Sequence, residues 1–289
     1  MTLNHTKEKI GRIAFTGAAL ASCAVTLAIL GFMAVLAWPV FHSGKIWEML
    51  TSPWRPEQEL FGLAPMVAGT VAIAGPALVI SLPISLGAAY FAGILYPGHS
   101  WLKHMVQAMT AVPTVIYGFA GVFLLVPLIR QMNAALGTGG SGMCILAAAL
   151  MLALLISPTM ILFFLNSFAM VPRAEIHAVA ALGADPAQIF LWAVLPRAWQ
   201  GMVTGIILSF GRAVGDTLIG LMIAGNAVAF PQSLLESART LTAHIALVIA
   251  ADFDSMEFTT LFVSGLLLYA MTGLGVILSR RVGRLKGAQ

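Results

Sequence analysis

An all-α, polytopic membrane protein with six transmembrane helices is the fold class this sequence predicts. Three observations predict it: long apolar runs, sparse charge, and charge gathered between the runs. Of 289 residues, 60% are hydrophobic and 9% charged, and the mean hydropathy is +0.95. A soluble domain carries about 25% charged residues, so a water-exposed globule is excluded. The formal net charge of +4 reflects a bias between the two membrane faces rather than a nucleic-acid surface. Lipid is the expected surrounding and no nucleic acid is expected.

The first span, 13–38, makes a helix of about 39 Å, ample for a hydrocarbon core near 30 Å with some tilt. Within it, Leu20-Ala21-Ser22-Cys23 has the look of a lipoprotein processing site. The apolar run continues to Ala37, however, past the roughly 7–15 residues of a signal h-region, so the helix is read as uncleaved. Cys23 and Cys144 read as small buried hydrophobes without metal-ligand spacing. The further spans are 66–95, 105–129, 143–168, 202–225 and 257–279. Leu241–Ala251 is too short to cross and reads as an interfacial or re-entrant piece.

Six spans place both termini on one side with the 96–104 and 169–201 loops. That side collects Lys7, Lys9, Arg12, Lys103, Arg173, Arg197, Arg280, Arg281, Arg284 and Lys286. The other side has Lys45, Arg55, Arg130 and Arg239 against Glu48, Glu57, Glu59, Glu236, Asp252, Asp254 and Glu257. The positive-inside rule then makes both termini cytoplasmic. A seventh span would send the basic tail outside.

Pro76 and Pro83 interrupt the second span, and Pro113 and Gly118 the third. Such residues mark either ordinary kinks or a cavity that satisfies freed backbone groups. Gly137 to Gly142 form a flexible outer loop without the strand that a phosphate cradle requires. The fifth span carries Gly211-Arg212-Ala213-Val214-Gly215-Asp216-Thr217. Arg212 and Asp216 are the charged side chains that fall within hydrocarbon depth. A guanidinium there is unfavourable by roughly 2.5–3.5 kcal/mol, so it faces a partner or a polar pathway. On a continuous helix the two stand at i and i+4 and form a pair, either a structural tie or part of a route for an anion. The guanidinium fork suits oxyanion oxygens two at a time, and the carboxylate holds the fork or accepts a ligand proton.

The 169–201 loop has its own pattern. Pro172 opens a helix at its first position and Gly183 closes it in a left-handed cap. Asp185-Pro186-Ala187-Gln188 starts a second short helix, with Asp as N-cap and Gln at N3, stopping near Pro196. Ile176, Val179, Leu182, Ile189 and Trp192 form an apolar set on this elbow. It either folds back on the bundle or meets a cytoplasmic partner.

His177-Ala178-Val179-Ala180-Ala181-Leu182-Gly183, followed by Ala193-Val194-Leu195-Pro196, resembles the EAA loop of ABC-importer permeases. His177 stands at the usual Glu position and Ala193 at the usual Ile. Glu175 lies on another helix face from the missing carboxylate. Further motifs come in order: Trp54-Arg55-Pro56, Phe61-Gly62, Gly69-Thr70, Val112-Pro113-Thr114-Val115-Ile116-Tyr117-Gly118, Gly211–Thr217, Gly225-Asn226 and Thr240-Leu241-Thr242-Ala243. Together, from about 46 to 280, they resemble the Pst-type phosphate permeases, the PstC-like subunit more than the PstA-like one. Asp216 stands where that family has Glu.

The resemblance implies a bundle like that of type I ABC-importer permeases. It divides the chain into a tail 1–12, a transmembrane domain 13–280 and a basic tail 281–289. Residues 66–280 are then the binding-protein-dependent core, with 169–201 as coupling loop. It implies a cytoplasmic ATP-binding subunit docking on His177, Ala178, Gly183, Leu195 and Pro196. It also implies a PstA-like second permease, an extracytoplasmic phosphate-binding protein, and Arg212, Asp216 and Thr217 on the phosphate path in the inner membrane. No cofactor or metal is expected.

The chain is not expected to hydrolyse ATP itself, since Ser43-Gly44-Lys45 lacks the upstream glycine of a P-loop. The six histidines show no metal-ligand spacing, which argues against a membrane metalloenzyme. Other oxyanions (sulfate, molybdate, phosphonate) and a membrane sensory scaffold are the alternative functions.

Overall fold

In the computed structural model, residues 2–96, 100–137, 139–253 and 255–286 are described. Asp254 and the last three residues of the basic tail lie outside them. Helix α1 (Thr2–His42) leads into the short α2 (Ile46–Thr51) and a two-stranded hairpin, β1 (Trp54–Arg55) and β2 (Leu60–Phe61). The hairpin pairs Trp54 with Phe61 and Arg55 with Leu60. Glu59 turns it in the left-handed region at φ 57°.

Helix α3 (Ala64–Tyr90) follows, then α4 (Ser100–Thr110), α5 (Thr114–Ala120) and α6 (Val126–Ala135). Next come α7 (Ile145–Ala169), α8 (Arg173–Ala181), α9 (Pro186–Ile189) and α10 (Leu195–Gly215). The chain ends with α11 (Leu218–Ile223), α12 (Leu241–Val248) and α13 (Met256–Lys286).

Among the described residues five helices are long and apolar enough to cross a membrane: Gly11–His42, Ala64–Leu95, Thr114–Ala135, Ile145–Ala169 and Met256–Ile277. The sixth crossing is not one helix. The expected 202–225 span stops at Gly215, turns through Asp216 in extended conformation (φ −74°, ψ 127°), and resumes at Leu218. Gly, Asp and Thr in succession favour this break, because the glycine is a weak helix former and the Asp side chain competes for backbone donors. The apolar flanks mask it in a hydropathy profile.

The third span is also corrected. It begins at Thr114 rather than 105, because Pro113 (φ −59°, ψ 140°) separates α4 from α5. Proline lacks a donor and drives the preceding residue out of the helical region. Pro76 and Pro83, by contrast, lie inside an unbroken α3.

Helix α7 is the centre of the bundle and packs against α3, α4, α5, α10 and α11. Three hydroxyls bind it to α3. Ser81 and Ser157 share a hydrogen bond of 2.9 Å, and Ser85 Oγ donates to the Ser157 carbonyl at 3.3 Å. Buried hydroxyls between apolar helices have no competing water, so satisfied pairs hold two helices in one register. Toward the hairpin end the core joins Ile73, Ala77, Ile145, Leu152, Ile219 and Ile223. Toward the elbow end it joins Val106, Phe164, Phe168, Phe190, Val194 and Met202. Helix α1 packs along α13, with Met33 facing Gly265 and Phe32 edge-on to Phe262 at 6.1 Å. Most of its remaining surface is exposed and apolar, as lipid contact requires. Cys144 is buried, but Cys23 is exposed on α1 and is not a core residue.

Helix α12 is eight residues long, about 12 Å, and does not cross. It is stapled into the bundle instead. The Leu241 N–H donates to Thr70 Oγ1 at 3.0 Å, and Thr70 Oγ1 donates to the Met66 carbonyl at 2.8 Å. Trp54 lies edge-on to His244 at 4.5 Å and ties the hairpin to the same helix. This close approach needs Gly69, where an added Cβ would lie 2.4 Å from the Arg239 carbonyl oxygen. Gly69→Ala is therefore expected to destabilise the protein by about 1–3 kcal/mol through overpacking. Gly75→Ala, with nothing within 4 Å of the added methyl, should leave the melting temperature in detergent unchanged or higher.

Candidate functional site at the helix break

The break gathers the charged residues of the fifth crossing. Helix α10 ends with Arg212 in its last turn, where Arg212 Nη1 donates to Thr159 Oγ1 of α7 at 2.8 Å. The expected i, i+4 ion pair with Asp216 does not form. The backbone leaves the helix between them, and no ion-pair contact joins the two side chains. Asp216 instead caps the next helix, its Oδ2 accepting from the Ile219 N–H at 2.8 Å. This explains an aspartate here: its short side chain reaches a donor three residues on, the geometry that makes Asp a favoured N-cap.

The freed backbone is satisfied from α12. Thr242 Oγ1 donates to the Asp216 carbonyl at 2.8 Å and shares a hydrogen bond with Thr240 Oγ1 at 3.0 Å. Thr240 Oγ1 accepts from the Ala243 N–H at 3.1 Å and caps α12. Thr217 opens α11, its carbonyl accepting from Leu221 at 2.8 Å. Helix α11 is held closely on two sides, with Met222 and Ile223 against Gly118 and Gly121 and Thr240 against Gly220.

Arg212, Asp216 and Thr217 line one cleft of about 450 Å³ together with Thr114, Gly215 and Leu218. The structure thus brings together the three residues expected on the path, though by a break rather than a helix face. Sequence reasoning missed Thr159 and the roles of Thr114, Thr70 and Thr242. The last three stood inside quoted motifs. Thr159 had only its place as a hydroxyl after Pro158 in an apolar run.

The second expected site lies at the other end of the same helix. Pro172 stands just before α8 rather than at its first position, and Gly183 takes φ +84°. Asp185 and Gln188 cap α9 reciprocally at 2.8 and 3.0 Å. The helix does not stop at Pro196. A π-turn over Phe190–Val194 runs straight into α10, and its wider ring accommodates a proline that would clash with the carbonyl four residues back. Residues 186–215 therefore form one rod, roughly 45 Å long at 1.5 Å per residue, from the elbow to the break.

The apolar elbow set divides. Ile176 and Ile189 pack on the bundle, whereas Leu182 is 87% and Trp192 74% exposed. His177 and Ala178 are exposed on α8, Leu195 is half-buried, and Pro196 is exposed at the start of α10. Glu175 does not stand free for a partner. Arg197 holds it through Nε and Nη2, each at 2.9 Å, and so ties α8 to the rod.

The cap at Asp216 can be separated from its charge. Asp216→Ala is expected to lose about 1 kcal/mol of stability, and Asp216→Asn only a few tenths, in thermal unfolding of the detergent-solubilised protein.

Comparison with known proteins agrees with this architecture. Residues 81–284 match the family model described as the binding-protein-dependent transport system inner membrane component. A probable ABC transporter permease protein, YqgH of Bacillus subtilis, is 30% identical over 281 residues, covering 94% of this chain and 90% of that one. The phosphate transport system permease protein PstC of Haemophilus influenzae is 31% identical over 254 residues, covering 80% and 79%. In fold, the chain superposes on a chain of the inward-facing MetNI methionine ABC transporter with TM-score 0.60 at 20% identity, covering 78% of this chain and 95% of that one. Six crossings, one of them broken beside a short re-entrant helix, thus belong to a protein of known kind: the chain is a member of the binding-protein-dependent transport inner-membrane component family, the permeases of ABC importers.

Proposed function

We propose that this chain is the membrane-spanning permease subunit of an ATP-driven importer that carries inorganic phosphate across the cytoplasmic membrane. Residues 66–280 form its permease core, and both termini are cytoplasmic. ATP is hydrolysed in a separate subunit docked on the elbow. A second, PstA-like permease closes the path, and an extracytoplasmic phosphate-binding protein delivers the cargo.

One observation carries this reading. The guanidinium at the break is hydrogen-bonded to a neutral hydroxyl, Thr159, and makes no direct ion pair with the Asp216 carboxylate in the same cleft. A membrane-embedded guanidinium beside an open cleft, with a carboxylate in the same cleft but none in direct contact, keeps donors free for an anion. The relatives named as phosphate permeases support phosphate as that anion.

In this mechanism Arg212 takes two phosphate oxygens through its fork. Asp216 spends Oδ2 on the α11 cap, which leaves Oδ1 to accept from a protonated phosphate oxygen, a donor that sulfate at neutral pH lacks. Thr217 adds a hydroxyl at the cleft wall. The elbow supplies the drive. Leu182 and Trp192 present apolar surface to the ATPase, flanked by His177, Ala178 and Pro196, while Gly183 shapes the turn. The Glu175–Arg197 fork and the unbroken helix through Leu195 pass the movement of α8 along the rod to Arg212.

Arg212→Lys is expected to assemble to normal levels yet take up radiolabelled phosphate at least tenfold more slowly, because an ammonium cannot form the fork. Normal uptake by this variant would remove Arg212 from the path. In the wild-type transporter arsenate should compete with uptake and sulfate and molybdate should not. Leu182→Glu with Trp192→Ala should reduce the ATPase that co-purifies with the permease by at least tenfold. Undiminished co-purification would remove the elbow from the docking surface.

A further inference from the structure

Arg239 is the one other arginine drawn into the folded module around the break. It is half-buried, one residue before the Thr240 cap and three before Thr242, whose hydroxyl holds the Asp216 carbonyl. Its backbone is fixed on every side. The Ala238 N–H donates to the Ala224 carbonyl at 2.9 Å. The Arg239 carbonyl abuts Gly69, and the Leu241 N–H is bound by Thr70 at 3.0 Å.

The side chain is held by one atom. Nε donates to the Asn226 carbonyl at 3.2 Å, and Asn226 adopts φ 59° while its own Nδ2 is anchored on the Leu221 carbonyl at 2.7 Å. A guanidinium carries five N–H donors. The four on Nη1 and Nη2 of Arg239 meet no acceptor among the described residues, and no carboxylate pairs with it there. Neither terminal nitrogen is among the buried polar atoms left without a partner, so both open onto space that an anion can enter. Locking Nε and the backbone while leaving both terminal nitrogens open is how a fixed oxyanion fork is built.

We propose that Arg239 is a second oxyanion contact, on the extracytoplasmic approach to the Arg212 cleft, where it receives phosphate before Arg212 does. This rests on the phosphate-permease reading. Arg239 lies beyond the break on the far side from the elbow, in the segment between α11 and α12, where Ala238 and Arg239 abut Gly69 near the start of α3. Arg239 does not line the Arg212 cleft itself; Thr240 and Thr242, one and three residues on, connect its segment to the Asp216 carbonyl at the break. Its recessed position favours a small anion over a carboxylate of a docked protein.

The test uses the complete transporter in proteoliposomes with its binding protein outside. Arg239→Gln is expected to lower phosphate uptake roughly tenfold, the worth of one charge-assisted contact. The affinity of the phosphate-loaded binding protein for the purified complex should not change. Arg239→Lys should recover part of the rate, since it restores the charge without the fork.

If uptake and binding-protein affinity fall together, Arg239 is a docking contact for the protein and the proposal is overturned. Wild-type uptake by Arg239→Gln overturns it too, as does an equal loss of assembled complex in the Gln and Lys variants. Arg212→Lys, measured alongside, separates the two claims. Impairment there with a normal Arg239→Gln sinks the relay alone, and normal uptake in both sinks the pathway reading with it.

Discussion

A helix broken within the bilayer must have its freed backbone groups satisfied from inside the protein, and the packing of α10, α11 and α12 follows from that. Helix α10 ends at Gly215, and the Asp216 carbonyl and the first donors of α11 then need partners. Thr242 supplies one and the Asp216 carboxylate another, at 2.8 Å each. Thr242 is in place because α12 re-enters the bundle, and α12 re-enters because Thr70 binds its first turn and Gly69 lets it approach. Motifs far apart in sequence thus serve one purpose, which is to keep a polar break open in an apolar surround.

The same break divides α10 and its continuation into two structurally different halves. Below it the helix is continuous through the π-turn to Pro186 and is tied to α8 by the Glu175–Arg197 fork. An exposed pair of this kind contributes on the order of 0–1 kcal/mol, so its value is geometric: it fixes the angle between elbow and rod. Above it, α11 is wedged against Gly118, Gly121 and Thr240. A stiff rod meeting a clamped segment at an extended residue concentrates any relative movement at Asp216, next to Arg212. In the proposed mechanism, coupling and passage would meet at Gly215-Asp216-Thr217.

Much of this was legible in the sequence. Composition and charge bias gave the class, and apolar runs located most crossings. The Asp185-Pro186-Ala187-Gln188 cap and the Gly183 turn were local signals with local causes. What could not be read was decided by long-range partners. Hydropathy averages over Gly215-Asp216-Thr217 and so hides the break. Spacing alone put Arg212 and Asp216 on one face, because i, i+4 holds only for an unbroken helix. Pro196 reads as a stop until the preceding π-turn is known. Thr159 carries no motif, and only the packing of α7 on α10 brings its hydroxyl to the guanidinium.

The proposed pathway requires Arg212, bound to the neutral Thr159, to take an anion that crosses at the break. The most direct measurement is a high-resolution structure of the assembled transporter with phosphate trapped in transit. An oxyanion is expected within hydrogen-bond distance of both terminal nitrogens of Arg212, with Nη1 released from Thr159 and Asp216 still capping α11. An anion elsewhere in the bundle, with Arg212 unchanged on Thr159, would contradict it.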